Sequence, residues 1–148
     1  MSDAPQLLGD TALTVFRLNG QLLGPAEELT RPVGLTAARW QVLGAVLRTP
    51  LTVAGIGRAV GLTRQSVQRT ADLLVAQGLA EYVDNPAHRR AKLFRPTREG
   101  YEAVRRIAPG QAAAAIRLAG AVGHEDLARA VATLRRLGDA LDRLEDER

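Results

Sequence analysis

The sequence predicts a mainly α-helical chain with one small β-hairpin. Three observations carry that expectation. Apolar residues recur at three- and four-residue spacing through most of the 148 residues. Thr36, Thr63 and Thr97 each stand just before such a run, where a side-chain oxygen satisfies the free N–H groups of a first helical turn. Between Leu79 and Arg95 the pattern changes to two short extended runs around Asn85-Pro86, which reads as strand, turn and strand.

In chain order, Leu8, Ala12, Val15, Phe16, Leu22 and Leu23 give the first helix, expected between Leu7 and Leu29 and weakened by Gly20 and Gly24. Pro32 and Gly34 break it. A second helix begins behind Thr36, with Trp40, Leu43, Val46 and Leu47 as its core face, and Pro50 is expected to end it. Leu51-Thr52 is short and extended enough to pair later as a strand. Thr52 also caps a brief helix through Ile56, Ala59 and Val60. Gly55 and Gly57 each cost that helix about 1 kcal/mol relative to alanine, so packing must hold it. Gly61-Leu62 is a tight turn, and Thr63 caps the helix from Arg64 to Gln77. Leu62 and Val67 staple its start. Val67, Ala71, Leu74 and Val75 form one face; Gln65, Gln68, Arg69 and Asp72 form the opposite one. Gly78 stops it. Strands at Leu79–Val83 and Ala91–Arg95 then flank a basic tip. Thr97 caps a helix carrying Tyr101, Val104 and Ile107, expected to be interrupted at Pro109-Gly110 and broken again at Gly123. In the last helix Leu127, Ala130, Leu134, Leu137, Leu141 and Leu144 alternate spacings of three and four, a heptad seam.

Composition narrows function by exclusion. Without cysteine there are no disulfides, thiol nucleophiles or cysteine-based zinc sites. His88 and His124 lie far apart and without ligand spacing, so no metal and no cofactor is expected. An enzyme would need a nucleophile with a base or convergent titratable groups, and neither is present. No uncharged run approaches the roughly 20 residues that cross a bilayer. The start of the chain lacks a basic-then-apolar leader, so a cytoplasmic protein is expected. The net charge of +4 is unevenly spread: residues 58–106 hold ten Arg or Lys against five acids, whereas residues 1–57 balance and residues 107–148 carry one net negative charge. A basic centre suits contact with phosphates, although a solvated charged face would look the same.

A short helix, a Gly-Leu turn and a polar-faced second helix compose a helix-turn-helix, and the hairpin after it is a wing. The second helix of such a unit enters the major groove of DNA with its N-terminal residues against base edges. Arginine forks onto guanine O6 and N7, and glutamine bridges adenine N6 and N7. Arg64, Gln65, Ser66, Gln68 and Arg69 supply these types at that end of the helix. Asp72 has the wrong sign for phosphate, and is expected to orient an arginine or stay solvated.

Residues 35–100 resemble regulators of the multiple-antibiotic-resistance (MarR) type. LTAARWQVLGAVL, LTVAGIGRAVGLTRQSVQRTADLLVAQGLAEYV and NPAHRRAKLFRPTREG carry the likeness. The most specific part is the wing, where the family favours Asp-x-Arg, a strand, then Leu-Thr and a glycine. The corresponding residues are His88-Arg89-Arg90, Ala91–Phe94, Pro96-Thr97 and Gly100. The resemblance implies that Arg90, with Arg89 beside it, reaches the minor groove. His88 replaces the aspartate that pairs with that arginine. Pro96 replaces the leucine and, lacking an N–H, is expected to end the hairpin early.

The resulting expectation is a single domain over 1–148. It has a winged helix-turn-helix at 36–100, and the helices at 5–30 and 101–146 form a homodimer interface. The seam from Leu127 to Leu144 supports a dimer, while packing within one chain would use the same pattern. The resemblance further implies a repressor that binds a palindromic operator in double-stranded DNA and answers a small aromatic or anionic effector. Its ligand-binding residues are not readable. The alternative is a winged helix kept as a protein-interaction module, against which Arg64, Gln68, Arg69, Arg89 and Arg90 all argue.

Overall fold

Thr36, Thr52 and Thr63 each accept, through Oγ1, the backbone N–H of the residue three positions on, at 3.2, 3.0 and 3.1 Å. Those three caps set the starts of three consecutive helices in the computed structural model, which describes residues 3–148. The elements run α1 (Ala4–Thr30), a 3-10 turn (Arg31–Val33), α2 (Ala37–Ala45), α3 (Val53–Val60), α4 (Arg64–Ala76), β1 (Ala80–Val83), β2 (Leu93–Pro96), α5 (Arg98–Val122) and α6 (His124–Asp146). The fold is mainly α with a two-stranded antiparallel hairpin. No helix among the described residues is long and apolar enough to cross a membrane.

The chain forms two compact units, one through Ala108 and one from Pro109 to Arg148. The first holds a closed core. Val42, Leu43 and Val46 from α2 and the chain just after it, Ile56 from α3, Val67 and Leu74 from α4, and Phe94 from β2 are all fully buried. Each such side chain contributes about 1.5–3 kcal/mol through burial. Trp40 packs against this core from its edge. Ala103 and Ile107 of α5 complete it, and Tyr101 Oη donates to the Leu47 carbonyl at 3.4 Å. Glu27 Oε1 accepts the Ala37 N–H at 3.0 Å and so ties the end of α1 to the start of α2.

The helix-turn-helix depends on two glycines. Gly61 ends α3 with φ of +71°, a left-handed geometry that costs a side-chain-bearing residue strain. At Gly57 a Cβ would sit 2.8 Å from the Leu62 carbonyl oxygen. The glycine that weakens α3 as a helix is therefore what lets the turn fold back against it.

Four local expectations are corrected. The second helix ends at Ala45, well before Pro50. Buried Val46 leaves helical geometry with φ −114° and ψ 9°, and 3-10 bonds from Val46 and Leu47 close the turn. Helix α5 runs unbroken through Pro109. Proline removes one backbone bond, but its φ suits a helix and Ala112–Ala115 beyond it are strong helix formers. The second strand begins at Leu93, since Arg89 and Arg90 lie in a turn and Ala91 in a bend. Pro96 does not end the hairpin early: it closes β2 opposite Ala80. Leu51 does pair, exchanging backbone bonds with Phe94 at 3.3 and 2.7 Å, so the chain entering α3 is bonded to the wing.

In the second unit the later part of α5 and all of α6 carry no buried residue. Leu127 and Leu137 are half-buried; Leu134, Leu141 and Leu144 are exposed.

Candidate nucleic-acid interface

Burial of Val67, Ala71 and Leu74 fixes the rotation of α4 about its axis. The same rotation turns Arg64, Gln65, Gln68, Arg69 and Asp72 outward, where they line one shallow groove along the helix. Arg64, Gln68 and Asp72 follow one another at four-residue spacing on a single ridge, as do Gln65 and Arg69 beside them. Ser66 is exposed in the first turn, where its backbone N–H is held by the Thr63 cap.

The wing is set by the register Ala80–Pro96, Glu81–Arg95, Tyr82–Phe94 and Val83–Leu93. Phe94 faces inward and Arg95 outward, where its Nε meets Glu81 Oε1 at 2.8 Å. Asn85, expected only as a turn residue, organises the first part of the tip. Asn85 accepts twice, through Oδ1 from the Ala87 N–H at 3.0 Å and through its carbonyl from the His88 N–H at 3.2 Å. His88, Arg89 and Arg90 are all exposed.

Helix and wing meet in a cleft of about 260 Å³. Arg64 and Gln68 come to it from α4, Arg90 and Lys92 from the wing, and Thr52 and Val53 from the start of α3. Lys92 was not anticipated, because its sequence position reads only as an exposed strand residue. The ion pairs among the described residues engage Arg95, Arg98 and Arg129. None of them engages Arg64, Arg69, Arg89, Arg90 or Lys92. Arg64, Arg90 and Lys92 thus share the cleft, and Arg64 and Arg69 share the α4 groove with Asp72, with none of these cations in an ion pair among the described residues.

Gln68 differs from its neighbours. Its Nε2 donates to Asp72 Oδ1 at 3.0 Å and to Tyr82 Oη at 2.9 Å, while Tyr82 Oη donates to the same Asp72 oxygen at 2.6 Å. Asp72 therefore orients a glutamine and a tyrosine rather than an arginine. Burial, and then the Asp72 carboxylate, push the Tyr82 phenol far above its ordinary pKa, so it remains a donor. Tyr82 also packs on Phe94, with ring centroids 5.7 Å apart. The link spans ten residues between α4 and β1, and residue type alone gave no sign of it.

Known proteins place this geometry in context. A sequence profile of the MarR family matches residues 33–91. Uncharacterized protein Rv2011c of Mycobacterium tuberculosis is 40% identical over 127 residues, covering 86% of this chain and 89% of its own. The M. tuberculosis transcriptional regulator MOSR, solved in complex with DNA, superposes with a TM-score of 0.76 at 22% identity, covering 89% of this chain and 96% of its own. BpsR of Bordetella bronchiseptica, whose DNA binding is regulated by 6-hydroxynicotinic acid, superposes with a TM-score of 0.74 at 20% identity, covering 87% and 98%.

Proposed function

The chain belongs to the MarR family of transcription regulators, which are not enzymes, and from that premise we propose that it binds a palindromic operator in double-stranded DNA as a homodimer. The observation that carries this reading is the cleft where Arg64 and Gln68 of α4 meet Arg90 and Lys92 of the wing. A helix ridge of Arg and Gln suits the major groove, whose base edges present the donors and acceptors those side chains match. A cationic wing beside it suits phosphates and the narrow, strongly negative minor groove. In this reading Arg64, Gln65, Gln68 and Arg69 face bases, Ser66 faces the backbone, and Arg89 and Arg90 serve the wing.

The DNA-binding unit spans 36–100, and the helices at 5–30 and 101–146 pair with a second copy. Exposed apolar residues on α1 and α6 support that pairing, since surface of this kind is normally covered. Two-fold symmetry then requires half-sites about one helical turn apart, roughly 10 base pairs. Where such a site overlaps a promoter, a seated dimer would exclude polymerase, and on that ground repression is the sign of control in this reading. The regulation of BpsR by 6-hydroxynicotinic acid supports a small aromatic anion as the class of effector.

The test is to incubate the purified full-length protein with fragmented genomic DNA and sequence what it retains. Enrichment of a shared palindrome is the expected result. Retention of fragments without a common sequence would overturn the reading in favour of a protein-interaction module.

A further inference from the structure

We infer that Asp72 and Tyr82 are positioning residues that restrict Gln68 to reading bases through its amide oxygen alone. The inference rests on the reading of α4 as the base-contacting helix. An ionised carboxylate only accepts hydrogen bonds, so the amide edge that meets Asp72 must be the NH2 edge. That assigns Nε2 by chemistry. Its two hydrogens are then both committed, one to Asp72 Oδ1 at 3.0 Å and one to Tyr82 Oη at 2.9 Å. The Tyr82 hydroxyl hydrogen is committed as well, to Asp72 at 2.6 Å. Every donor in the triangle is used, and among the described residues no donor meets Gln68 Oε1. The side chain stands on the exposed ridge of α4 with one acceptor to offer.

A glutamine with a free amide bridges adenine, donating to N7 and accepting from N6. The tethered amide has no hydrogen left for N7. It accepts from an exocyclic amine, and both adenine N6 and cytosine N4 present one in the major groove. Guanine O6 and thymine O4 place acceptors there and are rejected. The base pair under Gln68 is therefore read as amine against carbonyl, with adenine and cytosine nearly equivalent. Releasing Nε2 for N7 would strip hydrogen bonds from a carboxylate and a half-buried phenol, so DNA binding alone does not restore the two-point contact.

The experiment selects full-length protein on duplexes randomised across the operator, comparing wild type with Gln68→Ala, Asp72→Ala, Asp72→Asn and Tyr82→Phe. Gln68→Ala locates the position, as the one where discrimination of A and C from G and T is lost. There the wild type takes A and C within about twofold of each other. Asp72→Ala frees one Nε2 hydrogen and raises A over C by about five- to tenfold, the yield of a second hydrogen bond at the same base. Asp72→Asn keeps an acceptor oxygen for both partners and retains the wild-type ratio. Tyr82→Phe keeps the ring against Phe94, and so the fold, frees the other Nε2 hydrogen and shifts the ratio in the same direction. A wild-type preference for A over C already near tenfold overturns the inference. So does an A:C ratio unmoved by Asp72→Ala, or a Gln68→Ala variant with wild-type selection. Wild-type protein that selects no sequence overturns base reading by α4 itself, a different failure from a sequence-selective protein whose A:C ratio ignores Asp72.

Discussion

The chain has two phenylalanines, Phe94 and Phe16, in opposite surroundings. Phe94 on β2 is wholly buried, bonded through its backbone to Leu51 and packed on Tyr82. Phe16 on α1 is 71% exposed, with Leu13 and Leu22 nearby at 69% and 62%. The contrast extends beyond the two rings. From Leu35 to Ile107 the apolar residues close a core, while those of α1, the end of α5 and α6 remain open to solvent, Ile116 at 73%. The winged unit is thus complete within one chain. The flanking helices hold apolar faces that a second copy would cover, each buried side chain contributing about 1.5–3 kcal/mol.

The largest expected effect comes from breaking the open region. Phe16→Asp places a charge where the proposed interface is apolar. Light scattering should then report a monomer at micromolar concentration. Affinity for the palindrome should fall about 10²- to 10⁴-fold, because two linked half-site contacts become independent. The Tm of the winged unit should barely move. A stable Phe16→Asp dimer would place the interface elsewhere.

The closed region breaks differently. Gly57→Ala pushes a methyl group toward the Leu62 carbonyl, 2.8 Å from where its Cβ would lie. Overpacking of this kind costs about 1–3 kcal/mol and several degrees of Tm. A calorimetric melt should show that loss, while the dimer persists in light scattering at temperatures below the transition. An unchanged Tm would mean that the turn between α3 and α4 yields without cost.

The same contrast explains what was legible in the sequence. Caps are local chemistry: Thr36, Thr52 and Thr63 could be assigned because cap and helix lie within four residues. The exposed polar ridge of α4 was legible for a similar reason, since the apolar positions Val67, Ala71 and Leu74 leave only one face for Arg64, Gln65, Gln68 and Arg69. Contacts between elements were not. Gln68 to Tyr82 spans fourteen residues, and a tyrosine in a strand gives no hint of which helix its hydroxyl meets. The end of α2 was misplaced because Pro50 is a strong local signal, whereas burial of Val46 depends on the whole core. Asn85 was read only as a turn residue, and its double acceptor role belongs to the folded tip.

Within the closed unit, the recognition helix and the wing should separate by the kind of energy lost. Arg69 lies on the exposed face of α4 without a carboxylate partner. Arg69→Ala should cost roughly 1–3 kcal/mol on the best operator and relax the base preference at one position of each half-site. Competition between operator and scrambled duplexes measures the ratio. An undiminished ratio would leave base reading to Arg64, Gln65 and Gln68.

Arg90 should produce the smallest and most uniform change. It lies in a turn with Arg89, close to Lys92 and at the cleft that Arg64 and Gln68 also line. In the proposed reading a guanidinium placed there would meet phosphate or the minor groove, which distinguishes A·T from G·C and little more. Its contribution is mainly the release of counterions condensed on DNA, worth nearly one unit of slope in the logarithm of affinity against the logarithm of salt. Arg90→Ala should therefore weaken operator and scrambled duplexes alike and lower that slope by about one. The base preference set by α4 should survive, because the core that rotates the helix contains no wing arginine. A solvated arginine predicts wild-type affinity and slope, and titrations at several salt concentrations separate the two. If instead the operator weakens while the scrambled duplex does not, Arg90 reads sequence, and the division between a base-reading helix and a charge-supplying wing fails at that residue.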